Sequence, residues 1–337
     1  MAVVMANWCS LAFGGAGARR WIGAAVTALL VLAEPAGARA ETPPDIVVTI
    51  KPIHSLAASV MAGVGSPRLL IDGAGSPHTY AMKPSDAKAL NSARLVIRVA
   101  PSLETFLNNT LKSLPKSARV LTLEGVPGLV LHPVRTGGNF EDDGHGHGHG
   151  HGDGHGKKAA KGAKAPVDGH LWLDPRNASR MATAIAEALA EIDSTRADRY
   201  RANAAALNAS LTALDRELEA AAKPLAGRSF IVFHDAYQYA EARYGLAASG
   251  SITVSPEVQP SAKRLQALRR TIGRLGATCV FAEPQFPPKL LDTVVEGTKA
   301  RRGTLDPLGA AIPAGPDHYP ALMRALMRDL SACLGSG

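Results

Sequence analysis

The chain has 337 residues, room for two domains of ordinary size, with 46% hydrophobic and 20% charged residues and a formal net charge of +8. Part of the positive excess is Lys157, Lys158, Lys161 and Lys164, grouped in a glycine-rich tract that reads as a solvated loop. No basic stripe with interleaved aromatics appears, which excludes a nucleic-acid partner.

Residues 1–40 read as a cleaved signal peptide. Arg19 and Arg20 precede an apolar run from Trp21 to Ala33, and Ala38-Arg39-Ala40 offers the small residues that a signal peptidase reads. The run is shorter than the roughly 20 residues that span a bilayer. The paired arginines also allow twin-arginine export, and the absence of Cys at the cleavage point argues against a lipid anchor. Removing this leader takes away three arginines and one glutamate, so +8 becomes +6. Cys9 leaves with it. The remaining Cys279 and Cys333 are most simply one disulfide in an exported chain, tying a central strand to the C-terminal end. A Cys-ligated metal is the competing reading.

The mature chain opens with Ile46-Val47-Val48-Thr49-Ile50, a continuous β-branched run expected of a strand buried on both faces. Further strands are expected at Arg68 to Ile71, Leu95 to Val99 and Arg119 to Leu123. Helices open between them at Lys51, at Pro84-Ser85-Asp86 and at Pro101-Ser102-Leu103-Glu104. Such alternation marks a parallel α/β layer with right-handed crossovers, here a first lobe over 41–194.

A loop rich in Gly and His occupies about 141–166, with His145, His147, His149, His151 and His155. Glycine-spaced imidazoles cannot pack a core, but they can gather borderline metals such as zinc weakly and in many geometries. An inert polar spacer is the plainer alternative. After the tract, Asp174 can cap and Pro175 can start an Ala-rich helix. A longer helix over 195–223 presents Tyr200, Leu207, Leu211, Leu214 and Leu218 on one face, and is long enough to cross between lobes. Alternation resumes over 224–337, with strands at Phe230 to Phe233, Gly250 to Val254, Thr278 to Ala282 and Gly303 to Leu305. The fold class is therefore α/β, two Rossmann-like lobes with parallel sheets bridged by one long helix. Ligands of such sheets bind at the carboxyl ends of strands, in the cleft.

Position separates the histidines outside the tract. His78 lies in the loop after the second strand, His170 precedes a capped helix, and His234 directly follows Phe230 to Phe233. All three can face one cleft, and three imidazoles give a tetrahedral ion three ligands with one position open, which suits zinc best. His54 is the spare. Asp306, ending its strand, is a fourth ligand, an orienting residue or merely the cap of its own turn. Glu283 reads as structural or as orienting a ligand, and His132 and His318 as surface residues.

Several segments together carry a resemblance. They are Pro77-His78-Thr79-Tyr80 with Lys83-Pro84-Ser85-Asp86, then His170-Leu171-Trp172-Leu173-Asp174-Pro175, then Phe233-His234-Asp235-Ala236-Tyr237. Pro256-Glu257-Val258-Gln259-Pro260, the run Cys279 to Phe286 and the run Thr304 to Gly309 extend it. In this order they resemble the periplasmic zinc-uptake solute-binding proteins of ABC transporters, over nearly the whole mature chain. The resemblance implies Zn2+ held between the lobes by His78, His170 and His234, a zinc-gathering His-rich loop, and a Cys279–Cys333 disulfide. It implies a monomeric receptor, not an enzyme, whose partners are a membrane permease and its ATPase. Some members carry a glutamate just before the first ligand histidine. Pro77 stands there in this chain, which leaves water, Asp306 or His54 for the fourth position. A zinc-dependent hydrolase with the same three histidines and a His-rich metal store are the alternatives from other classes.

Overall fold

The run Ile46–Ile50 forms strand β1, buried at all five positions, as a β-branched segment covered on both faces must be. The structure, a computed structural model, describes residues 43–135, 166–253, 255–257, 259–275 and 279–335. The expected leader and the five tract histidines lie outside the described residues. From β1 the chain enters helix α1 (Lys51–Val60) with Pro52 in its first turn, then β2 (Arg68–Ile71), α2 (Pro84–Ser92) and β3 (Leu95–Arg98). A four-residue helix α3 (Leu107–Thr110) precedes β4 (Arg119–Thr122). The sheet order is β2-β1-β3-β4, all parallel, with Val48 opposite Leu69 and Val47 opposite Val96.

After the long helices α4 (Pro175–Ile192) and α5 (Ala197–Ala222), the same design recurs. β5 (Phe230–His234), α6 (Gln238–Tyr244), β6 (Ala248–Thr253), α7 (Ala262–Leu275), β7 (Cys279–Ala282), α8 (Lys289–Val295), β8 (Arg301–Thr304) and α9 (His318–Leu334) follow in turn. The second sheet runs β6-β5-β7-β8, again all parallel. Along β5, Phe230 and Val232 join the main core, whereas Ile231 and Phe233 face a smaller core with Ile252, Leu268 and Val280. In each sheet the first strand has its successor on one side and the third strand on the other. The chain therefore changes direction between β1 and β3, and between β5 and β7, the crevices where α/β sheets take ligands.

Helix α5 has 26 residues, about 39 Å at ~1.5 Å per residue. Tyr200, Leu211, Leu214 and Leu218 of the expected apolar face are buried, and Leu207 packs partly buried beside them. Its polar side chains reach both sheets' helices: Asn203 donates to the Val60 carbonyl of α1, Glu217 pairs with Arg324 of α9 and Asp215 with Arg243 of α6. A buried polar seam adds to this. Lys51 Nζ donates to the carbonyls of Ala310 (2.9 Å) and Ile312 (3.1 Å), Ser55 Oγ to Pro316 O (2.8 Å) and Trp172 Nε1 to Pro307 O (2.8 Å). Cys279 and Cys333 form a disulfide with Cα atoms 6.1 Å apart, joining β7 to α9.

Two local expectations are corrected. No helix opens at Pro101: the chain turns there, because Glu104 folds back and accepts from Val99 N (3.0 Å) and Ala100 N (2.9 Å), with Thr49 Oγ1 donating to the same carboxyl. These are donors just past the end of β3, and a buried N–H must find an acceptor. His318 is not a surface residue. It is 1% exposed, its Nε2 against Leu308 O (3.0 Å) and its Nδ1 against Pro313 O (3.2 Å).

Glu104 is fully buried, and burial pushes its pKa from 4.5 up to about 7 against the pull of its three donors. The folded state thus holds this proton more tightly than the unfolded chain, so its contribution to stability falls as pH rises from 4.5 to about 7. Glu104→Gln is expected to flatten that slope in urea unfolding. Glu104→Ala is expected to cost about 2–4 kcal/mol by stranding two backbone N–H groups and the Thr49 hydroxyl.

Candidate metal centre

His78 sits in a loop pinned at both ends. At its start the Asp72 carboxylate accepts from Gly73 N (2.7 Å), where Gly73 has φ +65°. At its end the Tyr80 hydroxyl donates to Asp86 (2.8 Å), whose carboxylate also caps Lys83 N (2.8 Å) at the start of α2. Ser76 Oγ accepts from His78 N (3.3 Å). His170 stands at a different kind of turn. Asp168 Oδ1 accepts both its backbone N–H (3.0 Å) and its Nδ1 (2.7 Å), and the fully buried Trp172 packs 5.3 Å from its ring. The preceding Gly169 is needed because a Cβ there would lie 2.7 Å from Leu103 Cβ, in the turn after β3. His234 is the last residue of β5, and Glu283 comes directly after β7, so this pair straddles the second sheet's switch point. The Glu283 carboxylate lies 2.7 and 2.8 Å from His234 Nδ1.

The three rings converge through their other nitrogens. His78 Nε2 is 3.4 Å from His170 Nε2, and His234 Nε2 is 3.2 Å from it. A neutral imidazole that gives its Nδ1 proton to a carboxylate presents a bare lone pair at Nε2. Zinc–nitrogen bonds of about 2.0–2.1 Å at tetrahedral angles set ligand nitrogens about 3.3–3.4 Å apart. The two measured spacings fit that geometry. Each ring faces an acid at Nδ1: Asp168 for His170, Glu283 for His234 and, more loosely at 3.6 Å, Glu257 for His78. Burial, with the neighbouring imidazoles His234 and His170, holds His78 well below the ordinary imidazole pKa. Burial pulls His234 the same way, but the Glu283 carboxylate outweighs it and its pKa sits above the ordinary value.

Among the described residues this is the one group of three or more such side chains within metal-binding reach. His54 is not part of it; on α1, its Nε2 faces Pro67 O at 3.0 Å. Nor does Asp306 approach as a ligand. Its oxygens accept from Leu308 N (3.0 Å), Gly309 N (2.9 Å) and Ala310 N (2.5 Å), the turn-capping role, and from Gln285 Nε2 (2.7 Å). His132 is half-buried against the Tyr239 ring, 4.8 Å away. The pairings of Asp168 and Glu257 were not anticipated from sequence. The Asp-Gly-His spacing was the available sign of the first; nothing local marks the second, which reaches His78 from the other sheet. On one side the cluster borders a pocket of about 210 Å³ whose rim includes Asp235, Ser255 and Glu257.

Comparison with known proteins gives concordant results. The family of the zinc-uptake complex component A, periplasmic, matches over residues 46–333. The high-affinity zinc uptake system protein ZnuA of Brucella abortus (strain 2308) is 50% identical over 304 residues, 86% of this chain and 91% of that protein. A ZnuA crystal structure is 28% identical with a TM-score of 0.71, over 87% of this chain and 99% of that one. A ZnuA deletion mutant with zinc bound is 26% identical with a TM-score of 0.67, over 87% and 98%. With the match spanning both sheets and all three histidines, the chain belongs to the family of the periplasmic component A of the zinc-uptake complex.

Proposed function

We propose that the protein is a high-affinity periplasmic receptor that captures Zn2+ between its lobes and delivers it to the membrane permease of an ABC-type importer driven by its ATPase. The observation that carries this reading is the convergence of three Nε2 atoms at 3.2 and 3.4 Å, each ring backed by a carboxylate. His78, His170 and His234 are the ligands. The lobes, 41–194 and 224–337, are joined by the helix over 195–223, and a leader of residues 1–40 directs export before cleavage. The receptor works as a monomer, and the histidines at 145, 147, 149, 151 and 155 raise the local supply of zinc without forming the tight site. The relatives named for zinc uptake support the cargo, and the deletion mutant with zinc bound shows that a family member can lose a segment and still hold the ion.

A hydrolase would need a base beside the metal-bound water. The nearby acids are committed elsewhere: Asp168, Glu283 and Glu257 face imidazoles, and Asp306 holds a backbone turn. The protein is therefore read as a receptor without a catalytic step.

Zinc titration against a calibrated chelator tests the reading. The mature protein lacking His145 to His155 is expected to retain one tight zinc, and the triple change of His78, His170 and His234 to Ala is expected to lose it. Tight binding that disappears with the tract and survives the triple change would identify a His-rich metal buffer instead.

Zinc must displace protons from any charged ligand. His234, with its raised pKa, keeps its proton to higher pH than an ordinary imidazole, whereas His78 is already neutral. Apparent affinity is therefore expected to fall as pH drops from about 7.5 to about 5.5. Glu283→Gln removes the charge that raises His234, so the fall should begin at lower pH, on an affinity weakened about 10–100-fold. An onset unmoved by that change would contradict the assignment of Glu283.

A further inference from the structure

The three imidazoles also border a second, much smaller space. It is a cavity of about 10 Å³, the least that admits one water, and apart from the imidazoles its walls include Pro77, Trp172, Phe286 and Leu308. Gln285 lines this cavity. Its Nε2 donates to Asp306 Oδ1 at 2.7 Å. Asp306 is an acceptor already fixed by three backbone N–H groups, so the amide must turn its nitrogen toward Asp306 and its oxygen away. That oxygen is buried and meets no hydrogen-bond donor among the described residues. A buried amide oxygen left so is costly, and the expected remedy is a donor in the adjoining cavity. Three protein ligands leave zinc one open position.

Resting on the receptor reading above, we infer that Gln285 positions the water that completes the coordination of the captured zinc. Its Oε1 accepts a hydrogen bond from that water, and Asp306 acts through Gln285 by fixing the amide. The Ser76 hydroxyl, on the wall of the same cavity, is within the set of polar groups available to it. The volume of the cavity, about 10 Å³, excludes anything larger. The site thereby favours an ion content with four ligands, one of them small, over ions that demand six. Zinc reaches the imidazoles through the 210 Å³ pocket rimmed by Asp235, Ser255 and Glu257.

The inference turns on which side the open position faces, and cobalt(II) reports this through its visible absorption. The cobalt-loaded mature protein lacking His145 to His155 is titrated with azide, a three-atom anion that the small cavity cannot hold and the large pocket can. The expected result is a wild-type spectrum indifferent to azide and a Gln285→Ala spectrum that changes, because shortening the side chain widens the cavity. Gln285→Leu, similar in size but without an acceptor, is expected to load cobalt while losing about 10–100-fold in zinc affinity. A wild-type spectrum as responsive as that of Gln285→Ala would overturn the inference, since the open position would then face the large pocket. Unchanged zinc affinity in Gln285→Leu would overturn it as well. If cobalt binding survives loss of all three histidines, the receptor reading itself fails, and the role of Gln285 with it.

Discussion

Three imidazole lone pairs aimed at one point repel one another, and no hydrogen bond can satisfy all three at once. What holds them there is the set of Nδ1 contacts: Asp168 and Glu283 at 2.7 Å and Glu257 at 3.6 Å. At hydrogen-bond distance, the Asp168 and Glu283 carboxylates fix the orientation of the His170 and His234 rings. The closest two are themselves buried, with side chains 6% and 0% exposed, so their charge is little screened. The third pair differs in kind. Glu257 is 43% exposed and arrives from the other lobe, so His78 is the least firmly backed of the three imidazoles and the most exposed, at 14%.

The scaffold exists to place these contacts. Two sheets with the same order put their switch points toward one another, and the His234–Glu283 pair spans one of them. The turn after β3 at the other switch point is packed by Gly169 beside His170. Between the sheets, α5 and the buried donors Lys51, Ser55 and Trp172 fix the spacing. Trp172 serves both ends, packing on His170 while donating to Pro307 of the other lobe, and Tyr319 returns a hydrogen bond to the Trp172 carbonyl. Displacement of one lobe would therefore be felt directly at the His170 ring. A stiff helix and a polar seam favour small adjustments over wide hinge bending.

Much of this was legible in the sequence because it is local. β-branched runs announced the strands within a residue or two at most ends, and the apolar spacing from Tyr200 to Leu218 announced the face of α5. The three histidines were legible because His234 ends a strand, His170 precedes a capped helix and His78 lies in the loop that follows a strand. What failed depended on which hydrogen-bond partner a side chain meets once its turn has formed. Pro101 to Glu104 carries helix-start signals, yet the Glu104 carboxyl is drawn to Val99 and Ala100 at the sheet edge. His318 looked exposed in its segment but is enclosed by the turn from Leu308 to Pro313. Of the three roles the sequence left open for Asp306, the structure shows the turn cap, with three backbone donors on its carboxylate. The partnership of Glu257 with His78 joins residues of different sheets, which no spacing rule reports.

The most direct test of the account is the zinc-edge X-ray absorption spectrum of the mature protein lacking residues 141–166, loaded with one equivalent of zinc. Three imidazole nitrogens and one oxygen at about 2.0–2.1 Å are the predicted shell. Six oxygen neighbours, sulfur, or fewer than three imidazoles would contradict a centre built from His78, His170 and His234.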